Sequence, residues 1–152
     1  MAEDSSFYQK VAMTNEEMTA YLGIARLARI STARNGVPHI TPVWYLHDGS
    51  NFFVSTGTKT RMARDIKKNP NVSLTIDSSD GMFRHKCVIV NGLAQLSREG
   101  HPEVTRRIYQ RYLGREGLEH PFAKQLLDDD QYVITIIPQK ILTWDYTKLI
   151  KS

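Results

Sequence analysis

The sequence predicts a mainly β fold, an antiparallel barrel with helices packed on its outside. Three observations carry that reading. β-forming runs follow one another in series, and the turn dipeptides Asn35-Gly36 and Asp48-Gly49 separate the first of them. The chain lacks the regular strand-helix alternation that builds a parallel sheet. Its 152 residues, 41% hydrophobic and 24% charged, fit one soluble domain over residues 1–152.

Residues 1–13 read as a partly ordered tail. Thr14-Asn15-Glu16-Glu17 is a capping box, so a short helix follows to about Leu22, ended near Gly23. Leu27–Thr32 has strand character, and Asn35-Gly36 supplies the positive φ angles of a tight hairpin. The return run is Val37–Leu46. Its prolines, Pro38 and Pro42, lack the amide of an interior ladder and place it at a sheet edge or bulge. Within it, Trp44 and Tyr45 point to opposite faces.

A third strand covers Asn51–Ser55, and a polar loop leads to a helix over Arg61–Lys68 that Asn69-Pro70 stops. Val72–Ile76 alternates as a strand. Cys87–Val90 begins another that runs toward Leu96. Pro102–Leu113 reads as a helix with Val104, Ile108 and Tyr112 on its inward face, ending near Gly114. A short helix over Pro121–Leu127 and final strands at Tyr132–Ile137 and Lys140–Tyr146 complete the chain, for about seven strands in all.

Composition excludes several classes. Cys87 is the only cysteine, so no internal disulfide forms, and this suits the cytoplasm. No apolar window approaches the ~20 residues of a membrane span, no secretory leader is visible, and no membrane partner is expected. The net charge of +4 is local: residues 59–68 hold five basic side chains against Asp65, an excess that equals the charge of the whole chain. Such concentration favours a phosphate site over an extended nucleic-acid surface, and no nucleic acid is expected as a partner. The arginines at 106, 107, 111 and 115 are diluted by Glu99, Glu103 and Glu116 and read as a solvated helix.

The stretch Ser55-Thr56-Gly57-Thr58-Lys59-Thr60-Arg61 places hydroxyls and cations where a strand gives way to a helix. Helix N-termini expose unpaired amides and attract phosphate, and an arginine fork holds two phosphate oxygens. A solvated loop with a capped helix explains the same residues about equally well. The histidines at 39, 47, 85, 101 and 120 form no metal-ligand spacing, so no metal is expected. No serine pairs recognisably with a histidine, and no general acid or base is assignable. Cys87, in an apolar run, reads as an inert buried thiol.

The succession RLARISTARNGVPHITPVWYLHDG, FFVSTGTKTRMARDIKKNPNVSLTID, VIVNGLAQL and IIPQKILTWDY resembles the pyridoxamine 5′-phosphate oxidase-like split-barrel flavoproteins, over roughly residues 14–147. The resemblance implies a six-stranded antiparallel split barrel with flanking helices, and a homodimer with FMN at its interface. In some branches a deazaflavin coenzyme (F-420) takes the place of FMN. Carried over by position, Lys59, Thr60 and Arg61 would hold the phosphate. Thr41, Pro42, Val43 and Trp44 would lie along the ring, Val54, Ser55 and Thr56 beside the ribityl chain, and Trp144 against the partner's flavin. The implied activity is an FMN-dependent oxidoreductase acting on a small molecule; a deazaflavin-dependent reductase and a flavin-binding protein without turnover are the alternatives. Thr41 stands where the vitamin B6 oxidases carry arginine, and their Arg-Leu-x-Pro ending is missing. The resemblance therefore extends to the cofactor and not to their reaction.

Overall fold

The computed structural model describes residues 5–150. The strands are β1 (Ala28–Arg34), β2 (Val37–Val43), β3 (Leu46–His47), β4 (Phe52–Gly57), β5 (Asn71–Ser79), β6 (His85–Ser97) and β7 (Gln131–Asp145). Among the described residues they form one seven-stranded sheet in the order β2-β1-β5-β6-β7-β4-β3, with antiparallel neighbours. The strand beyond the expected six is β3, a two-residue strand that pairs Leu46 with Phe53 and His47 with Phe52.

Local chemistry sets these elements. The β1–β2 turn has Asn35 at φ 53° and Gly36 at φ 76°, the left-handed pair that a two-residue hairpin loop requires. The two expected C-terminal strands are one, because β7 runs on through Pro138. There its register against β6 shifts between Asn91 and Gly92. Gly92 is needed at that point: a Cβ would lie 2.4 Å from the Ile137 carbonyl oxygen.

Inward residues of five strands meet in one core that includes Ile30, Val54, Leu74, Ile76, Val88 and Ile134, all essentially inaccessible. Each contributes about 1.5–3 kcal/mol by leaving water. Helix α2 (Asn15–Leu22) adds Tyr21 and Leu22, and α3 (Arg61–Lys68) adds Met62 and Ile66. Helix α4 (Glu103–Leu118) packs outside with α5 (Pro121–Asp128). Its inward face holds the expected Val104, Ile108 and Tyr112, and it extends to Thr105 and Tyr109, which are the more deeply buried. Gly114, at φ 70°, interrupts its helical geometry where the helix was expected to end. Among the described residues no helix is long and apolar enough to cross a membrane.

The expected N-terminal tail is helical over Ser5–Val11 (α1), and Val11 is buried; residues 1–4 lie outside the described residues. Its Tyr8 hydroxyl accepts from the Thr143 amide at 3.1 Å, and the Met13 amide donates to Thr143 Oγ1 at 2.9 Å. The capping box forms as expected: Thr14 Oγ1 accepts from the Glu17 amide, and Glu17 Oε1 accepts from the Thr14 amide, each at 3.1 Å. Lys148 donates to Glu17 at 2.7 Å and to the Ala12 carbonyl at 2.8 Å, clasping the two ends of the fold.

The Lys148 hydrogen bond, helped by the Thr14 amide, lowers the Glu17 carboxyl from 4.5 to about 2. A depressed folded-state value stabilises above the unfolded value, and that contribution is lost as pH falls. The wild type should therefore lose stability between pH 4.5 and about 2, and Glu17→Gln should lose less across that window. Urea midpoints of both proteins between pH 2 and 6 would check this.

Candidate functional site

A cleft of about 330 Å³ opens where the end of β2 faces α4 across β4. Its position follows from the prolines. Pro38 and Pro42 pair with Ala33 and Arg29 of β1, and β2 is the edge of the sheet, as its sequence predicted. Among the described residues no further strand covers Thr41, Pro42 and Val43, which line the cleft together with Ser55 and Thr56 of β4. Helix α4 supplies Ile108 and Tyr109, and Met62, Leu27 and Leu126 close the remaining sides.

Trp44 is a rigid wall. Its ring stacks on Tyr112 at 4.9 Å between centroids and 7° between planes, and it meets Tyr109 edge-on at 5.8 Å. The Tyr112 hydroxyl donates to the Arg26 carbonyl at 2.6 Å and accepts from the Tyr45 amide at 3.3 Å. Arg111 donates to the carbonyls of Leu22 and Ile24 at 2.6 and 3.1 Å, so this arginine of the supposedly solvated helix holds the loop that carries Leu27. Tyr45 points the other way, as expected, into the core, where its hydroxyl donates to the Leu22 carbonyl at 3.0 Å. Burial pushes that phenol up to about 12, so it stays a structural donor. Burial likewise pushes the Cys87 thiol up to about 12, which makes it the inert thiol its surroundings implied.

The N-terminus of α3 opens beside the cleft. Thr60 caps it, accepting from the Ala63 amide at 3.2 Å, and its hydroxyl lies 2.7 Å from that of Thr56. Helix geometry provides no intrahelical acceptor for the Arg61 and Met62 amides. Arg61 sits at the first helical position, with Nε 3.6 Å from Asp65 Oδ2. Asp65 is fully buried. Thr32 donates to that same Oδ2 at 2.9 Å, and Arg34 Nε lies 3.3 Å from Oδ1.

The structure thus brings Thr41, Pro42, Val43, Trp44, Ser55 and Thr56 to one cleft, with Thr60 and Arg61 at its edge and Lys59 exposed in the adjoining turn. It leaves two expected residues elsewhere. Val54 faces the core, because alternation on β4 turns it inward between Phe53 and Ser55. Trp144, paired with Cys87 across the sheet, donates to His85 Nδ1 at 3.3 Å and is not part of the cleft wall in this chain. Sequence reasoning missed Tyr109 and Thr105, for which the available signal was their place one residue along from Ile108 and Val104, on a face wider than the 104, 108 and 112 stripe. It also missed Leu27 and Leu126, whose role depends on how distant segments pack.

A sequence profile described as pyridoxamine 5′-phosphate oxidase matches residues 14–145. The chain belongs to that family. Solved structures agree on the fold of this family member. The conserved hypothetical protein Rv2991 from Mycobacterium tuberculosis is similar at a TM-score of 0.78 and 24% identity, covering 94% of this chain and 91% of that one. A structure named F-420 reductase has a TM-score of 0.66 and 24% identity over 80% of this chain and 93% of its own. A FAD-binding protein from Mesorhizobium loti has a TM-score of 0.66 and 18% identity over 87% and 94%.

Removing the Asp65 carboxylate should loosen α3 from β1, because Arg34, Arg61 and Thr32 all lose their partner. Asp65→Ala is expected to cost about 1–3 kcal/mol, lower than for a wholly buried pair because both arginines reach solvent. Urea unfolding of the variant beside wild type checks it.

Proposed function

We propose that the chain is an FMN-dependent oxidoreductase whose cleft holds the flavin, with the phosphate at the N-terminus of α3 and a small organic molecule as substrate. The observation that carries this reading is the joining of an apolar, aromatic-walled cleft to a helix N-terminus with a cation at its first position. The cleft lies within the usual size range of small-molecule sites, and Thr41, Ser55 and Thr56 add a few polar groups to apolar walls. Arg61 and the Arg61 and Met62 amides would bind phosphate charge, while exposed Lys59 would steer it. The flavin, when bound, supplies hydride chemistry; the chain supplies orientation and exclusion of water.

The same reading has the protein work in the cytoplasm as a homodimer, in which Trp144 of one protomer would close the flavin site of the other. Exposed Ile40 and Val37 on β2 give the edge an apolar surface to bury. A deazaflavin coenzyme is the second reading. The structural likeness to an F-420 reductase supports it, as does the exposed cationic run of Lys59, Arg64, Lys67 and Lys68, which suits a longer anionic tail.

Purified protein should take up FMN and turn yellow; colourless protein that takes up none contradicts the reading. Arg61→Ala should weaken FMN binding about 10- to 100-fold, the loss of one charge-assisted bond of roughly 1.5–3 kcal/mol. Competition titration between FMN and the deazaflavin coenzyme separates the two readings. A bound flavin that no nicotinamide donor reduces would mark a binding protein without turnover.

A further inference from the structure

We propose that Ser55, Thr105 and His101 form a proton relay between the cleft and solvent, with His101 as its terminal acid and base. Ser55 lines the cleft, and its hydroxyl oxygen lies 2.8 Å from Thr105 Oγ1. Thr105 Oγ1 lies 3.0 Å from His101 Nδ1. Thr105 is completely buried, while His101 is half-buried at the start of α4, beside exposed Gly100 and Pro102. A helical threonine usually bonds the carbonyl four residues back. Here Thr105 meets the imidazole four residues back and a hydroxyl on another element, and so joins cleft to surface.

Donor arithmetic gives this chain a direction. A hydroxyl has one proton to donate and two lone pairs. When His101 is neutral and Nδ1 accepts, Thr105 donates to it and accepts from Ser55, so Ser55 can only accept from a cleft ligand. When His101 is protonated, Nδ1 donates to Thr105, Thr105 donates to Ser55, and Ser55 points its proton into the cleft. Discharging the relay breaks the Nδ1–H, Thr105 O–H and Ser55 O–H bonds. It forms a Thr105 O–H, a Ser55 O–H and a bond from hydrogen to the ligand. One proton moves, His101 ends neutral, no electrons are transferred, and each hop spans one hydrogen bond.

The ionisable groups around His101 are Arg98, Glu99 and Glu103 on its own segment. From the turn ahead of β7, Asp130 reaches this corner through its 3.1 Å pair with Arg98, whose guanidinium also faces the Tyr132 ring of β7. None of these lies between His101 and Ser55 along the chain of hydroxyls.

The relay rests on the reading of the cleft as a flavin site, and the test separates the two. His101 is titrated by imidazole NMR, with and without FMN, in wild type, Thr105→Val and Ser55→Ala. In FMN-free protein, Thr105→Val should move the His101 Nδ1 resonance; an unmoved resonance overturns the relay. FMN should shift the His101 titration midpoint by about 0.5 pH unit in wild type, equal to a roughly threefold change in FMN affinity across that titration. Thr105→Val, outside the cleft lining, should bind FMN with most of that shift gone, Ser55→Ala should lose the shift at saturating FMN even where its affinity falls, and His101→Gln should bind FMN with a flat pH profile. Equal shifts in wild type and the hydroxyl variants overturn the relay, since they reflect only the charge of the phosphate. Failure of FMN to bind overturns the flavin reading, and the relay is then decided by the Nδ1 resonance of the free protein.

Discussion

The buried carboxylate of Asp65 is the constraint on which the site depends. It is the one acidic residue in a run of five cations, and it is turned wholly inward. A carboxylate in that position is costly unless paired and hydrogen-bonded. Thr32 of β1 hydrogen-bonds one of its oxygens, Arg34 of β1 compensates the other by charge alone, and Arg61 joins from its own helix. α3 is thereby held against β1, with its N-terminus beside the end of β4. The other cations of the run are left on the outside, where they concentrate positive charge at one end of the sheet.

The cleft itself results from incomplete covering. An edge strand with two prolines cannot recruit another strand of its own chain along its free side, so its last residues face α4 across a gap. Aromatic packing keeps the gap open: Trp44 is stacked on Tyr112, and Tyr112 is tied by hydrogen bonds to the backbone on both sides. A wall anchored in this way adds little ordering cost when a flat ligand arrives. The polar groups of the cleft are few and are already organised by Thr60 and Thr105.

Much of this was legible in the residues. Asn35-Gly36, the prolines of β2 and the Thr14–Glu17 capping box act locally, and each produced the feature it predicts. The strand end at Ser55 and Thr56 could be placed beside a helix N-terminus because loop and cap chemistry are local too. What escaped depended on long-range packing. Pro138 resembles a strand break until Gly92 across the ladder lets β7 pass close by. Residues 5–11 look like a tail until Thr143 and Lys148 arrive from the other end of the chain. No serine paired with a histidine in the sequence, because a threonine from a third position connects them.

The most direct test of this account is a crystal structure of the protein with FMN. The account predicts the ring against Thr41–Val43 and Tyr109, with the phosphate on the Arg61 and Met62 amides. A flavin bound elsewhere, for example in the separate hollow of about 300 Å³ lined by Arg106, Arg115 and Lys124, would contradict it.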